Sequence, residues 1–162
     1  MVYIVMGVSG SGKTTIGQLL AKKLGFPFYD ADDFHSATNI SKMEIGTPLT
    51  DEDRDGWLKS LADEIVVWEA AGGAVLACSA LKEKYRQLLC SQAKGRIQWI
   101  FLKGSKALIE ERILDRKGHF MKAGLLDSQF RILEEPAYGI KVSINQDVDE
   151  IVREILKELN LA

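Results

Sequence analysis

The chain has few cysteines, few prolines and no marked excess of charge of either sign. Its 162 residues include 2 cysteines and 3 prolines, and the formal net charge is −2. Cys78 and Cys90 form no metal-binding spacing, so we interpret both as free thiols that pack inside the protein. The nearly balanced charge, without runs of like charge, argues against nucleic acid as a partner.

Long apolar runs are also missing. No apolar stretch approaches the roughly 18 residues of a membrane span. Residues 1–6 lack a basic segment and lead directly into a glycine-rich motif, so we expect no removable signal peptide. The sequence shows no internal repeat, low-complexity tract or linker. We therefore predict one domain over residues 1–162, which is long enough to bury a sizeable core.

A glycine-rich motif follows the first apolar stretch. Residues 7–14 match the P-loop pattern of Gly, any four residues, Gly, Lys, and Ser or Thr. Glycines allow the backbone N–H groups of such a loop to point at an anion. Lys13 is placed to contact β- and γ-phosphates, and the Thr14 hydroxyl to ligate Mg²⁺. The predicted nucleotide-binding residues are Gly7, Val8, Ser9, Gly10, Ser11, Gly12, Lys13, Thr14 and Thr15.

Apolar patterning predicts strands that alternate with helices along the chain. The predicted strands are 2–6, 26–30, 74–78, 97–102 and 140–144, and the predicted helices are 15–24, 36–46, 50–71, 82–90, 105–114, 125–133 and one that follows residue 147. Such alternation is typical of an α/β fold with a five-stranded parallel sheet covered by helices on both faces. Trp57 and Trp68 recur at helical spacing, which indicates core packing rather than a cofactor site.

Three carboxylates follow the second predicted strand. Asp30, Asp32 and Asp33 lie at its carboxyl end, where open α/β sheets bind their ligands. Asp32 or Asp33 could instead serve as the N-cap of the next helix. Three carboxylates beside a P-loop exceed what a cap requires, so we interpret the cluster as part of a site.

A second charged segment covers residues 115–124. It combines two glycines with Arg116, Lys117, His119 and Lys122. Composition fits a lid that clamps phosphate and a solvated basic turn equally well, and both interpretations stay open.

The motifs outside the P-loop separate a small-molecule kinase from other nucleotide-binding proteins. A GTPase switch needs an Asn-Lys-x-Asp and an Asp-x-x-Gly segment, and neither occurs in the sequence. An ATP-driven motor usually has an acidic pair after a buried strand, whereas here the strand ends in Cys78-Ser79. A carboxylate cluster and a basic segment favour a compact kinase.

The order of these motifs resembles the gluconokinase family. The blocks that carry the resemblance are Gly7–Thr14, Asp30–His35, Gly46–Arg54, Cys78–Lys82, Tyr85-Arg86, Arg116–Met121, Gln129-Phe130 and Leu133–Pro136. The resemblance implies the P-loop fold of nucleoside and shikimate kinases, a three-layer sandwich. It also implies transfer of the ATP γ-phosphoryl group to the 6-hydroxyl of D-gluconate, for the pentose phosphate route, by a cytosolic homodimer. Asp55-Gly56 departs from the family, which commonly has a bulky aromatic residue there.

The resemblance and the chemistry of phosphoryl transfer together suggest roles for individual residues. Lys13, Asp32 as the base and Arg116 in the lid are the expected catalytic residues. Mg²⁺ would bind Thr14 together with Asp30 or Asp32. Arginine suits the gluconate carboxylate, and the other polar groups suit its hydroxyls. The expected substrate-binding residues are Asp32, His35, Arg54, Lys82, Tyr85, Arg86 and His119, and the turn at 145–147 is the candidate place for adenine.

Two alternatives to a gluconate kinase stay open at this point. One is a nucleotide-binding regulatory protein built on a kinase scaffold, which would bind ATP tightly without acceptor turnover. The other is a kinase for a different small acid, such as shikimate.

Overall fold

The computed structural model describes residues 1–115 and 123–161. Within these ranges five strands alternate with helices, which confirms the predicted α/β pattern. The strands are β1 (Val2–Met6), β2 (Phe28–Asp30), β3 (Ala74–Ala77), β4 (Ile97–Lys103) and β5 (Ile140–Ser143). The helices are α1 (Lys13–Leu24), α2 (Ala37–Glu44), α3 (Asp51–Ala70), α4 (Glu83–Cys90), α5 (Lys106–Leu114), α6 (Ala123–Ile132) and α7 (Val148–Glu158), and a short 3-10 helix covers Ala31–Phe34.

The sheet is parallel throughout and has the strand order β2-β3-β1-β4-β5. In the central strand, Val2 lies opposite Ala74 on one side and Ile97 on the other. In the pair formed by β2 and β3, the last residues of the two strands, Asp30 and Ala77, lie opposite each other. Because parallel strands end at one edge of the sheet, the residues that follow β1, β2 and β3 come together there.

Helices cover both faces of this sheet. Helix α1 packs against β1, β3 and α7, and α3 packs against β1 and α4. All residues of β1 and β3 are buried, because a strand covered on both faces contacts apolar neighbours on each side. Trp68 belongs to this core, where its ring stacks on that of Tyr29 with centroids 4.2 Å apart.

The predicted start of α3 is confirmed in detail. The Thr50 hydroxyl accepts a hydrogen bond from the Asp53 backbone N–H, and the Asp53 carboxylate accepts one from the Thr50 N–H. This capping box satisfies two backbone groups that the first turn of a helix leaves unpaired.

The capping role considered for Asp32 and Asp33 is wrong. Helix α2 begins after Ser36, whose hydroxyl accepts a hydrogen bond from the Asn39 N–H at 3.2 Å. The intervening 3-10 helix has its own cap, Asp30, whose carboxylate accepts from the Asp32 N–H at 3.0 Å. The capping therefore leaves the Asp32 and Asp33 side chains available to the site.

Within the described ranges, no helix combines the length and apolar character needed to cross a bilayer.

Candidate active site

A glycine-rich loop joins β1 to α1 at the edge where the strands end. Gly12 has a φ of 98°, a left-handed conformation that favours glycine, and α1 starts at the next residue. The unpaired N–H groups of this helix start attract anions. Of the predicted nucleotide-binding residues, Gly7, Val8 and Ser11 are buried, while Ser9, Gly10, Gly12, Lys13, Thr14 and Thr15 are at least partly accessible.

Hydrogen bonds to side chains help to hold this loop. The Lys13 ammonium donates to the Val8 carbonyl at 3.0 Å. The Ser9 backbone N–H donates to Oε1 of Gln129 at 2.7 Å, which connects the loop to α6. The role of Gln129 was not predictable from the sequence, because a contact between residues 120 positions apart leaves no local pattern.

A cleft of about 480 Å³ opens beside the loop. The described residues that line it come from the loop, the acidic cluster, α2, α3, the segment after β3, and α6. Six of them carry the functional groups to which a chemical role is assigned: Lys13, Thr14, Asp30, Asp32, His35 and Arg54. The sheet topology therefore brings together residues that lie far apart in the chain.

Thr14 and Asp30, which both line the cleft, contact each other. The Thr14 hydroxyl donates to Oδ2 of Asp30 at 2.9 Å. A hydroxyl and a carboxylate side by side are the oxygen donors that Mg²⁺ uses in nucleotide sites, so this pair fits the ion chemically.

The Asp32 carboxylate opens into the cleft, with 76% of its side-chain surface accessible. Partial desolvation by the surrounding protein raises the pKa of Asp32 above its ordinary value. The nearby Lys13 ammonium opposes the rise, whereas Asp30 and Asp33 add to it. Asp32 is therefore a stronger base than an isolated aspartate and lies within electrostatic reach of Lys13.

His35 forms a wall of the cleft. Its ring stacks on Trp57 with centroids 4.0 Å apart and an interplanar angle of 19°. Burial, aided by the Arg54 charge, lowers the pKa of His35 to about 4, while Asp30 opposes this shift. The imidazole is therefore neutral at physiological pH. Trp57 is buried, as the helical spacing predicts, yet it also lines the cleft.

Arg54 reaches the cleft from α3. One of its nitrogens, Nη1, donates to the Leu49 carbonyl at 2.6 Å and to the Tyr85 hydroxyl at 3.3 Å. Its Nε and Nη2 donate no hydrogen bond to any described residue and remain available to a bound anion. The Tyr85 hydroxyl in turn donates to Asp51, and burial raises the pKa of Tyr85 to about 12.

Three expected substrate-binding residues do not line the cleft. Tyr85 lies behind Arg54 and helps to position it. The Lys82 ammonium pairs with Asp51 at 3.1 Å. The Arg86 guanidinium is buried and donates to the carbonyls of Ala80 and Glu134 at 2.7 and 2.9 Å. This placement corrects the expectation for Arg86, because its donors already hold the protein together, and it does not support direct substrate contact for Lys82 or Tyr85.

Two further predicted residues, Arg116 and His119, lie outside the described residues. The same holds for most of the basic segment, so its interpretation as a lid or as a solvated turn is unchanged. Arg112 is half-buried and donates to the Ile144 carbonyl. It thereby connects α5 to the end of β5.

The turn considered for adenine borders a second, more open depression. Its described lining includes Lys103, Ser105, Lys141, Ser143 and Asn145, at the ends of β4 and β5. Asp147 caps α7 by accepting from the Glu150 N–H at 2.9 Å, as expected for the turn that precedes that helix.

Comparisons with known proteins agree with this geometry. A model of the shikimate kinase family matches residues 9–160. A probable gluconokinase from Mus musculus is 46% identical over 98% of this chain and 97% of its own length. A crystal structure of a gluconokinase from Sinorhizobium meliloti 1021 has a TM-score of 0.90 and 41% identity, covering 98% of this chain and 91% of its own. A crystal structure of a sugar kinase from Janibacter sp. HTCC2649 has a TM-score of 0.92 and 42% identity, covering 99% of this chain and 95% of its own.

A full-length match at this identity, combined with a phosphate loop that faces a carboxylate and an arginine across one cleft, shows that the chain is a kinase of the P-loop fold and belongs to the gluconokinase family.

Proposed function

We propose that this protein transfers the γ-phosphoryl group of ATP to the 6-hydroxyl of D-gluconate, giving 6-phospho-D-gluconate and ADP. One observation carries the proposal: Lys13, the Asp32 carboxylate and the Arg54 guanidinium line the same cleft. This arrangement supplies a phosphate contact, a base and an anchor for an acid. The relatives are named gluconokinases in several organisms, which indicates gluconate as the acceptor.

The phosphate loop would hold the nucleotide. Backbone N–H groups of residues 7–15 would surround the β-phosphate, and Lys13 would contact the β- and γ-oxygens. Lys13 already lies near Asp32, since its charge acts on the pKa of that carboxyl. The turn at 145–147 is our candidate place for adenine.

Thr14 and Asp30 would hold Mg²⁺, with Asp30 contacting the ion directly or through water. Their 2.9 Å hydrogen bond places two suitable oxygens together. When bound, the ion neutralises charge on the phosphate oxygens.

Asp32 would accept the proton of the attacking hydroxyl. Its carboxylate faces the cleft, and its raised pKa makes it a better proton acceptor than a fully solvated aspartate. The oxygen of the hydroxyl would then bond to the γ-phosphorus as the bond to the ADP oxygen breaks.

Arg54 would bind the gluconate carboxylate. Since Nε and Nη2 donate to no described residue, the guanidinium can offer two parallel hydrogen bonds. His35, on the same wall, would contact a hydroxyl of the substrate.

The remaining elements of the proposal concern the rest of the chain. We propose a single kinase domain over residues 1–162 with a lid at about residues 115–125. In the lid, Arg116 would neutralise the migrating phosphoryl group and His119 would contact substrate. The proposal also includes a cytoplasmic homodimer whose product enters the pentose phosphate pathway.

The test measures ADP release with Mg·ATP and each of gluconate, shikimate and nucleoside monophosphates. Coupling product formation to 6-phosphogluconate dehydrogenase identifies the phosphorylated position, because only the 6-phosphate supports that second reaction. We expect turnover with gluconate and a signal in the coupled assay.

Asp32→Asn tests the base, with Asp33→Asn as the matched charge control. We expect Asp32→Asn to lower kcat by about 10²- to 10⁴-fold and Asp33→Asn to have a much smaller effect. Turnover with shikimate alone would keep the kinase but reject gluconate. ATP binding without turnover on any acceptor would favour the regulatory protein.

A further inference from the structure

The imidazole of His35 is fixed by contacts on three sides. Its face stacks on Trp57, Nε2 lies 3.9 Å from Oδ1 of Asp32, and Nδ1 lies 3.3 Å from Nδ2 of Asn39. Only 3% of the side-chain surface is accessible. A neutral imidazole carries one proton, and the nitrogen that carries it decides what the ring can offer to Asp32.

The backbone carbonyl of Asp53 decides how the Asn39 amide is oriented. Asn39 is buried, and its Nδ2 lies 2.9 Å from the Asp53 carbonyl oxygen. A carbonyl oxygen only accepts hydrogen bonds, so the group facing it must be the NH₂ of the amide. The flipped amide would place two acceptors against each other in a buried position, which is costly.

The same NH₂ group also faces Nδ1 of His35. Because an amide NH₂ donates through both of its hydrogens, Nδ1 must be the acceptor in this contact. The proton of the neutral ring is therefore on Nε2, the nitrogen that points toward Asp32.

Asn39 itself is held firmly at the junction of α2 and α3. Its backbone N–H donates to the Ser36 cap at 3.2 Å. One turn later, the Lys42 ammonium pairs with the Asp53 carboxylate at 2.8 Å. Two links therefore join α2 to the start of α3: the Asn39 amide contacts the Asp53 carbonyl, and the Lys42 ammonium contacts the Asp53 carboxylate. The Asn39 amide also contacts His35.

We propose that Asn39 is a positioning residue that fixes His35 as the Nε2–H tautomer, so that His35 and Asp32 bind one substrate hydroxyl as a donor and acceptor pair. This inference rests on the proposed function for the identity of the hydroxyl. The 3.9 Å gap allows a hydroxyl oxygen to lie about 2.8 Å from both atoms. Nε2–H would donate to that oxygen while its O–H donates to Asp32.

The opposite tautomer would fail to orient the hydroxyl. With the proton on Nδ1, both Nε2 and Asp32 would be acceptors competing for a single hydroxyl hydrogen, and the oxygen would lose its donor. The charges that face His35 are Arg54, Asp30 and Asp32. Burial and the Arg54 charge lower the pKa of His35 and keep the ring neutral, although the Asp30 charge opposes them. The tautomer is therefore the property that Asn39 controls.

Nuclear magnetic resonance of the full chain, labelled with ¹⁵N-histidine and free of substrates, tests the tautomer directly. The chain has 2 histidines, so a His119→Gln sample assigns both signals. We expect the proton of His35 on Nε2 in the wild type. In Asn39→Asp, the new carboxylate can only accept, so the proton should move to Nδ1. A wild-type proton on Nδ1, or an unchanged tautomer in Asn39→Asp, would overturn the proposal.

Asn39→Ala provides a second variant should Asn39→Asp fold poorly. It removes the donor to Nδ1 without adding charge, and we expect both tautomers to be present. Retention of the Nε2–H form alone would contradict the role of Asn39.

Kinetics separates positioning from general support of the fold. We expect Asn39→Ala to lower kcat by at least about tenfold while the KM for ATP changes by less than about twofold. The matched control is Lys42→Met, which breaks the other link between α2 and α3 and leaves His35 untouched. It should retain kcat, and an equal loss in both variants would assign Asn39 a structural role instead. If gluconate is not the acceptor, the magnetic resonance result still decides the tautomer.

Discussion

Arg54 and Arg86 illustrate how two arginines of one sequence acquire different tasks. Among the described residues, Arg54 donates hydrogen bonds only through Nη1, and its side chain lines the cleft. Arg86 is buried and shares its donors among the carbonyls of Ala80 and Glu134 and the Tyr138 hydroxyl. The number of donors left over, rather than the residue type, distinguishes a substrate anchor from a structural arginine.

Arg54→Lys should raise the KM for gluconate by at least about tenfold, because a lysine cannot form two parallel hydrogen bonds with a carboxylate. The KM for ATP should stay nearly constant. Steady-state kinetics with each substrate varied in turn provides the measurement.

The matched variant is Arg86→Lys, which should leave the KM for gluconate unchanged. It should instead lower the free energy of unfolding by about 1–3 kcal/mol, since buried carbonyls lose their partners. A similar rise of KM in both variants would argue against Arg54 as the carboxylate anchor.

Side-chain partners of this kind were beyond prediction from the sequence. Arg86 meets Glu134 across 48 positions, and Lys82 meets Asp51 across 31. Arg54 lies between two aspartates and Arg86 follows Tyr85, but neither local pattern shows how many donors the packing leaves for a substrate. Gln129, which belongs to a block of the family resemblance, and Asn39 received no predicted role for the same reason, since their partners are determined by the packing of distant elements.

At the scale of elements, the local signals were sufficient. The β1-loop-α1 unit, the capping box of α3 and the continuous apolar strands β1 and β3 depend on neighbours within a few residues, and each was predictable. The 3-10 helix was missed because a single turn has no apolar period. Helix α2 still begins within one residue of its predicted start, and the 3-10 helix gives Asp30 an additional capping contact.

Helix α3 contains a glycine that its own structure does not require. Gly56 lies in the helix interior and is exposed, and a Cβ there would meet no described atom within 4 Å. Gly56→Ala should therefore raise the free energy of unfolding by about 0.5–1 kcal/mol, because alanine has less conformational freedom to lose on folding. Urea unfolding followed by circular dichroism measures the change. Gly56, one of the two residues that depart from the family pattern, thus bears on the stability of α3.

Gly17 in α1 serves as the matched control for this prediction. A Cβ at Gly17 would lie 2.6 Å from Cε1 of Phe28, so Gly17→Ala should destabilise the protein. If both variants changed stability in the same direction, helix propensity would not be the cause.

Stability of the whole molecule should depend on pH through His35. Its pKa is about 4 in the folded protein and 6.5 in the unfolded chain, so the unfolded chain binds an extra proton between these values. The contribution of His35 is complete above pH 6.5 and is lost as the pH falls toward 4. By pH 5 the loss should reach about 2 kcal/mol.

Urea unfolding of the wild type and of His35→Gln at pH 7 and pH 5 measures this contribution. The wild type should lose about 2 kcal/mol more than the variant over that interval. Carboxylates such as Asp30 and Asp32 are present in both proteins, so their titration cancels in the difference. Equal losses would mean that His35 is not held neutral by the fold.

The strand order has a consequence for how such a protein can change over time. The phosphate loop follows the central strand β1, whereas the acidic cluster, His35 and Arg54 all belong to the stretch that follows β2. Under the proposed function, the phosphate loop and the acceptor-binding residues Asp32, His35 and Arg54 thus belong to two separate, continuous pieces of sequence. A mutation in the second piece can therefore change which acid is accepted without changing the phosphate loop. Substrate specificity and phosphate binding can then evolve separately.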